Sequence, residues 1–237
     1  MSDEVKPHTF QAIKFLQEWS KLTGYPTLTA IFVDVAGKQG KVETQAFPPP
    51  PNGEVDWQAV YKWINERNGK ANLYFLVNKA REPKNNKASK TDMAAVIALH
   101  VDVDVRVGEN QEAGIARIKE VFAKYKIKPS YVVSSGGGAQ AFWILDKAIV
   151  LDGTKEAADD AALYNIQVER DLGGDHCHNI DRIMRLPGTI NLPNEVKIAS
   201  STGRRNTSVK SLCWGFKSQG LAWPLVELAC HFVQMGL

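Results

Sequence analysis

The segment LHVDVDVR, residues 99–106, carries the strongest structural signal in the chain. It ends a longer apolar run, AAVIALHVDVDV (94–105), whose β-branched residues and alternation predict a strand. Side chains alternate between the two faces of a strand. The valines therefore point towards a core, while both aspartates share the other face with His100 and Arg106.

Asp102 and Asp104 lie two residues apart on that polar face, about 7 Å between Cα atoms by strand geometry. Their mutual repulsion destabilises the strand unless a cation lies between them. Two Mg²⁺ or Mn²⁺ ions about 3.5–4 Å apart, as two-metal enzymes hold them, match this spacing. The alternative is an edge strand with a polar outer face, which the strongly β-forming flanks disfavour. The pair is therefore predicted to bind metal.

A run of three glycines lies in SSGGGAQAFW (134–143), between apolar segments 130–134 and 141–145 that predict short strands. Such a loop can bring backbone N–H groups close to phosphate oxygens, and serine adds hydroxyl donors. The alternative is a flexible hairpin loop that binds nothing. The loop alone does not decide between these two interpretations.

A third segment, GGDHCHNIDRIMRLPGTIN (173–191), places acids and arginines around a rigid Pro-Gly turn. Arginine is the side chain best suited to bind phosphate with two parallel hydrogen bonds, and Asp181 and Arg185 could flank a triphosphate. The alternative is an ion-paired surface loop. The His-Cys-His run at 176–178 is spaced too tightly for a usual tetrahedral zinc site, so no structural zinc is predicted.

Elsewhere the sequence mixes helices and strands without a regular βαβ alternation, which favours an α+β fold over a doubly wound sheet. Hydrophobic spacing predicts helices at 8–22, 55–67, 112–125, 154–171 and 221–235, strands at 28–35, 41–47 and 72–77, and a mostly extended segment at 180–198.

The composition is that of a globular protein of 237 residues, with 44% hydrophobic and 23% charged residues, which excludes wholesale disorder. No apolar run approaches the roughly 18 residues that a membrane span needs, so no membrane partner is predicted. A polar N-terminus and three scattered cysteines indicate a reducing, cytoplasmic setting. The net charge of +3 is too small to indicate nucleic-acid binding by itself.

Taken in order, the three segments resemble the motifs of the archaeo-eukaryotic primase (AEP) superfamily, most closely the primase-polymerase domains of phage and plasmid replication proteins. The first motif is the acid pair VDVD (101–104). The second is SSGGGAQAFW, which is similar to SGGGxHxYW in phage relatives. The third is Ile180-Asp181 followed by RIMRLPGTIN, which is similar to RxLRLPGTxN. The likeness covers about residues 72–206.

This resemblance implies an RRM-like catalytic sheet combined with an α/β N-terminal lobe. It further implies one primase-polymerase catalytic domain over residues 1–237, with candidate lobes 1–90 and 91–237, which could be a fragment of a longer replication protein. The implied activity is template-dependent primer synthesis on single-stranded DNA from NTP or dNTP substrates. A replicative helicase domain or protein is an expected partner, and the cytoplasm of a bacterial or phage-infected cell is the expected location.

The resemblance also implies residue roles. Asp102, Asp104 and Asp181 would be the catalytic acids and would hold two divalent ions, Mg²⁺ or Mn²⁺. The residues expected to bind the nucleotide are Ser135, Gly136, Gly137, Gly138, Gln140, Arg182 and Arg185. The basic loops 79–90 and 199–210 would bind the template backbone, through Lys84, Lys87, Lys90, Arg204 and Arg205.

One departure from the family pattern keeps two alternatives open. Gln140 stands where the relatives have a histidine that contacts nucleotide phosphates, and an amide cannot carry positive charge. A catalytically weakened nucleic-acid- or origin-binding replication module therefore remains an alternative, supported by Gln140 but opposed by the three acids. A metal-dependent nuclease that uses the same acids is the other.

Overall fold

The computed structural model describes residues 7–34, 38–192, 209–210 and 213–214, in an α+β arrangement whose paired strands are antiparallel. The helices are α1 (Thr9–Thr23), α2 (Trp57–Arg67), α3 (Gln111–Lys124) and α4 (Lys155–Leu172). The strands are β1 (Thr27–Val33), β2 (Gln39–Ala46), β3 (Ala71–Leu76), β4 (Lys79–Ala80), β5 (Met93–Asp104), β6 (Tyr131–Ser134), β7 (Gly138–Val150), β8 (Ile183–Arg185), β9 (Ile190–Asn191), β10 (Val209–Lys210) and β11 (Cys213–Trp214).

One sheet has the strand order β2-β1-β3-β8, and helices α1 and α2 pack beside it. A second sheet has the order β11-β6-β7-β5-β4. Its succession β5-α3-β6-β7-α4, with β7 between β5 and β6, is the RRM-like arrangement that the resemblance implies. The α+β fold class is therefore confirmed.

Helix α1 connects the two sheets through an aromatic cluster. Trp19 lies 5.3 Å from the rings of both Phe75, on β3, and Phe142, on β7, in edge-to-face contact. The Trp19 indole N–H also donates to the Val77 carbonyl at 2.9 Å, which satisfies its one polar atom inside the core. Because these rings come from both sheets, packing of α1 fixes the sheets relative to each other.

The predicted helices at 8–22, 55–67, 112–125 and 154–171 are confirmed within two residues at each end. Strand β7 runs over 138–150 and is longer than the predicted 141–145, because residues 138–140 pair with the end of β5 and Ile149 and Val150 pair with its start beyond a bulge. The segment 180–198 was predicted to be mostly extended, but over 180–192 only β8 and β9 are strands, separated by a turn.

The predicted helix at 221–235 lies outside the described residues, as does most of the basic loop at 199–210. Within the part of the chain that the structure describes, no helix combines the length and apolar content that crossing a membrane requires. Strand β8 follows α4 in sequence but pairs with β3 of the first sheet, with Tyr74 opposite Arg185. The segment after α4 therefore runs from β5 of the second sheet to β3 of the first.

Candidate active site

The acid pair lies at the C-terminal end of β5, where β5 pairs with β7 on one side, whereas β4 pairs only with the start of β5 at Met93 and Ala95. Asp102 is directly opposite Gln140 on β7, and Asp104 is directly opposite Gly138. The predicted second motif thus lies beside the first because the hairpin β6-β7 pairs with β5 in this register. Both aspartates are partly buried.

Gln140 is buried between the acid pair and the third motif. Its side-chain Nε2 donates to Asp102 Oδ2 at 3.0 Å, and its Oε1 accepts from the backbone N–H of Arg185 at 3.0 Å. The two partners decide the orientation of the amide, because only the oxygen can accept from an N–H. Gln140 therefore joins the predicted first motif to β8.

The environment of the Asp102 carboxylate is suited to binding a cation. Its Oδ1 is buried and has no hydrogen-bond partner among the described residues. Burial, together with the charges of Asp104 and Asp175, raises the pKa of Asp102 to about 6, although the Gln140 hydrogen bond and the charge of Arg185 act in the opposite direction. Repelling oxygen donors with an unpartnered atom are the chemistry that hard cations such as Mg²⁺ or Mn²⁺ require. The residues present thus fit a divalent ion.

Asp175 is a third acid at this place that the sequence interpretation did not assign. Its backbone N–H donates to the Asp102 carbonyl at 2.8 Å. The preceding Gly174 permits this approach, since a Cβ there would lie 2.3 Å from a methyl of Val101. The segment after α4 therefore passes alongside β5 and brings an acid to the pair. The sequence signal was its position in GGD, at the start of the third segment.

Arg185 places a cation beside the acids. Its guanidinium is buried, donates from Nη1 to Asn72 Oδ1 at 2.8 Å and lies 4.5 Å over the ring of Tyr74. Burial lowers the pKa of Arg185 below its usual value, while the charges of Asp102 and Asp104 oppose that shift. Asn72 and Tyr74, both on β3, were not predicted as site residues. They hold the arginine because β3 pairs with β8.

The turn after Arg185 anchors β8 to the first two helices. Gly188 has a φ of 79° and accepts from the His8 backbone N–H at 2.9 Å. A Cβ on Gly188 would lie 2.6 Å from the His8 carbonyl oxygen, so glycine is required here. Asn68, at the end of α2, binds both sides of the turn, through the Gly188 carbonyl and the Ile190 N–H. The sequence LPGT thus positions Arg185.

The glycine loop is held in place by its carbonyl groups. The Ser135 carbonyl accepts from Asn191 Nδ2 at 2.7 Å, and the Gly136 carbonyl accepts from Gln111 Nε2 at 2.6 Å. The Gly137 carbonyl accepts from a backbone N–H at the end of β5. A loop tied to β5, β9 and α3 in this way is a structured turn rather than a flexible hairpin.

Gly138 lies against Asp104 at the start of β7. A Cβ on Gly138 would be 2.1 Å from the Val103 carbonyl oxygen and 2.9 Å from Asp104 Oδ1. Real Cβ atoms do not approach so closely, so any larger residue must push β7 away from β5. The third glycine of the run therefore permits the close pairing that holds Asp104.

Asp181 and Arg182 lie apart from this group. Asp181 lines a cleft of about 400 Å³ together with Lys90, Asp159 and His178. The Arg182 N–H donates to the Asn179 carbonyl at 3.2 Å, in a turn that precedes β8. Strand alternation therefore does not extend back from Arg185 to Asp181. The third-acid role of Asp181 stays a prediction, as does nucleotide binding by Arg182.

His100 shares a strand with the acids but not their surroundings. It is buried, and its Nε2 lies 2.9 Å from the Cys177 carbonyl oxygen. Its Nδ1 lies 3.4 Å from Asn165 Nδ2 on α4. Burial lowers the pKa of His100 to about 4, so the imidazole is neutral near pH 7. It packs the strand against α4. Arg106 lies beyond the end of β5, in the turn closed by Glu109.

Two of the lysines predicted to bind DNA are already paired with acids. Lys84 contacts Asp92 at 2.7 Å, and Lys90 contacts Asp159 at 2.5 Å. Lys87 is exposed in the same loop. Arg204 and Arg205 lie outside the described residues. Template binding by these five residues stays a prediction.

No family model and no curated protein matches the chain. Among solved structures, it is similar to the AEP domain of the primase-polymerase of cyanophage S-2L, with a TM-score of 0.58 and 15% identity over 93% of this chain and 96% of that one.

Primase RepB′ is similar with a TM-score of 0.55 and 12% identity, over 94% of this chain and 64% of that one. The catalytic domain of primase RepB′ in complex with initiator DNA gives a TM-score of 0.53 and 14% identity, over 96% and 97%. These structural neighbours are primases and primase-polymerases. The two sheets with the helices between and around them therefore make up the fold of AEP primase-polymerase domains, and this chain has that fold.

Proposed function

We propose that the protein is a template-dependent primase-polymerase that synthesises primers on a single-stranded DNA template by nucleotidyl transfer. In this reaction the 3′-hydroxyl oxygen forms a bond to the α-phosphorus of the incoming nucleotide, while the bond to the pyrophosphate oxygen breaks. The observation that carries the proposal is the convergence of Asp102, Asp104 and Asp175 with Arg185 at one place in an AEP fold. Carboxylates can hold divalent cations, and the arginine can bind phosphate oxygens, so this group of residues suits nucleotidyl transfer.

We assign the divalent ions to Asp102, Asp104 and Asp175. Bound there, Mg²⁺ or Mn²⁺ would neutralise phosphate charge and lower the pKa of the attacking hydroxyl. The unpartnered Oδ1 of Asp102 supports this assignment. Gln140 contributes by holding the other oxygen, Oδ2, in one orientation, so that a single carboxylate rotamer faces the ions.

The nucleotide would bind between β8 and the glycine loop. Arg185 would contribute a cation that is already positioned by Asn72 and Tyr74, so little side-chain freedom is lost on binding. The backbone N–H groups of Gly136 and Gly137 would bind phosphate oxygens, since the Ser135 N–H already donates to the Gly138 carbonyl at 3.1 Å. The tethered carbonyls of that loop support this role, because they hold the backbone in one conformation.

The proposal is tested by incorporation of labelled nucleotides on a single-stranded DNA template, first with Mg²⁺ and then with Mn²⁺. Asp175→Asn and Asp181→Asn are a matched pair, since each removes one charge from the same segment. We expect synthesis by the wild type, loss in Asp175→Asn and retention in Asp181→Asn. The reverse pattern would move the third ligand to Asp181. No synthesis by folded wild-type protein with either ion would overturn the proposal.

The second candidate is a catalytically weakened nucleic-acid-binding module. It is favoured by Gln140, whose amide contacts Asp102 and the Arg185 backbone and carries no charge towards a triphosphate. This candidate predicts binding of single-stranded DNA without incorporation, whereas a nuclease would shorten the template in the same assay. An end-labelled template run beside the labelled-nucleotide reaction separates the three: synthesis gives new labelled product, a nuclease shortens the template, and a binding module leaves the template length unchanged but retards it on a native gel.

A further inference from the structure

Glu169, His176 and His178 bring their side-chain ligand atoms within 4.8 Å of one another, away from the acid pair on β5. Glu169 is a buried residue in the last turn of α4. His176 Nδ1 lies 3.0 Å from Glu169 Oε1, and His178 Nδ1 lies 3.1 Å from Glu169 Oε2. Two imidazole nitrogens thus converge on the two oxygens of one carboxylate.

The chain path after α4 explains this convergence. Gly173 ends the helix in the left-handed conformation, and the Gly174 N–H donates to the Glu169 carbonyl at 2.9 Å. The following residues therefore turn back over the helix end. His176 and His178 are two apart and reach the same carboxylate, while Cys177 between them is buried on the other side. The run 176–178 cannot form such a cluster alone, but His176 and His178 form one together with Glu169 from the helix.

The backbone of this segment is held independently of the two imidazoles. The Cys177 N–H donates to Glu169 Oε2 at 3.2 Å, and the His178 carbonyl accepts from Asn165 Nδ2 at 3.1 Å. The His100 ring contacts the Cys177 carbonyl at 2.9 Å. The three donor side chains are thus presented by a structured backbone, which lowers the entropy cost of binding a ligand between them.

We propose that Glu169, His176 and His178 form a metal site for a borderline divalent ion of the Zn²⁺ class, separate from the acid pair. Two imidazoles and one carboxylate are a donor set that such ions prefer, whereas Mg²⁺ prefers oxygen donors alone. Ligand atoms in a tetrahedral zinc site lie about 3.4 Å apart, given metal–ligand bonds of about 2.0–2.1 Å. The observed N–O separations of 3.0 and 3.1 Å need only a small expansion.

Binding requires Nδ1 of both imidazoles to be deprotonated, with the ring proton on Nε2. The side chain of His176 is 94% exposed, so the ion can enter from solvent and keep a water ligand. A bound ion would tie the segment 174–178 to the end of α4. It would therefore restrict the motion of the loop that contains Asp175, whatever reaction the acids perform.

The test uses tag-free protein treated with chelator and then dialysed, in the Asp102→Asn/Asp104→Asn background so that the acid pair does not compete. Titration with Co²⁺, followed by visible absorption, and with Zn²⁺, followed by calorimetry, should give one site per chain. We expect His176→Ala and Glu169→Gln each to weaken binding at least about tenfold. His8→Ala, which removes an exposed histidine elsewhere, should have no effect.

Two further readouts separate metal binding from packing. Zn²⁺ should raise the Tm of the background protein and slow amide exchange over residues 174–178, and neither effect should occur in His176→Ala. His176 is exposed, so this variant keeps the fold, as circular dichroism can verify. No Co²⁺ band in the background protein, or equal affinity in His176→Ala and His8→Ala, would show that the cluster makes hydrogen bonds only.

Discussion

Gln140 and Asp102 face each other directly across β7 and β5, and the amide Nε2 of Gln140 donates to Asp102 Oδ2 at 3.0 Å. The same amide accepts from the Arg185 N–H, so one side chain connects the acid pair to β8. The position where relatives of this fold are expected to have histidine is therefore filled by a residue that orients a carboxylate. Substitutions of Gln140 are therefore expected to affect both stability and synthesis through the orientation of Asp102.

Gln140→Met keeps the side-chain volume but removes both hydrogen bonds. We expect the free energy of unfolding to fall by about 1–3 kcal/mol, because the buried Arg185 N–H is left without a partner. Synthesis should fall by more than the loss of folded protein explains. Gln140→His should retain folding and synthesis, since a neutral imidazole has one donor and one acceptor. Urea unfolding and labelled-nucleotide incorporation measure both effects. Equal activity of the Met and His variants would contradict an orienting role.

Asp102→Asn removes one of two repelling carboxylates while keeping the shape of the side chain. In chelator at pH 7.5 we expect the variant to be more stable than the wild type, by about 0.5–2 kcal/mol, because sites built to bind cations are strained without them. Synthesis should fall about a hundredfold or more. Asp146→Asn, on the exposed part of β7, is the control and should change neither. A less stable Asp102→Asn protein would show that the pair is a structural feature.

Gly138→Ala should separate β5 from β7 at Asp104. The added Cβ would lie 2.1 Å from the Val103 carbonyl oxygen, so the strands must move apart. We expect a loss of about 1–3 kcal/mol in stability and a larger relative loss of synthesis. Gly40→Ala is the matched control, because the nearest atom to its Cβ is 3.5 Å away. If both variants behave alike, the close approach at Gly138 has no functional role.

Arg185→Ala should weaken binding of a non-hydrolysable nucleotide by roughly ten- to a hundredfold, the value of a charge-assisted contact of about 1.5–3 kcal/mol. Arg185→Lys should recover only part, because an ammonium cannot form two parallel hydrogen bonds or stack on Tyr74 as a plane. Arg182→Ala should have a smaller effect. Calorimetric titration on folded fractions decides this, and equal losses at both arginines would remove the distinction between them.

Asp92 should make stability depend on pH. The hydrogen bonds from Lys84 and Ser89 lower the pKa of Asp92 to about 2, below its usual value of 3.8. Its stabilising effect is therefore present above about pH 4 and is lost as the pH falls towards 2. Asp92→Asn should reduce stability at pH 7 by less than about 1 kcal/mol, since the pair is partly exposed. Urea unfolding from pH 7 to pH 3 should show the difference shrinking, and a constant difference would contradict it. Asp146→Asn again serves as the control.

Much of the secondary structure could be predicted from the local pattern of hydrophobic residues alone. The four helices follow from 3.6-residue spacing, and β5 follows from its long apolar alternation, because both signals depend on neighbouring residues in the chain. The Asp102–Asp104 pair was predictable for the same reason. Both Arg182 and Arg185 were expected to bind the nucleotide, and these roles stay predictions. The alternation that was expected to run back from Arg185 to Asp181 covers only residues 183–185.

The sequence by itself determined the four helices, strand β5, the position of the acid pair and the order of the three segments. The tertiary structure alone decided which residues from distant segments meet. Asp175 reaches Asp102 because Gly174 lets the chain pass close to β5, and Asn72 and Tyr74 meet Arg185 because β8 pairs with β3. In the sequence, the His-Cys-His run offers no third residue for a metal site. The fold brings Glu169, at the end of α4, next to both histidines. Local spacing carries no information on such contacts, because they depend on strand register and on where a chain turns back.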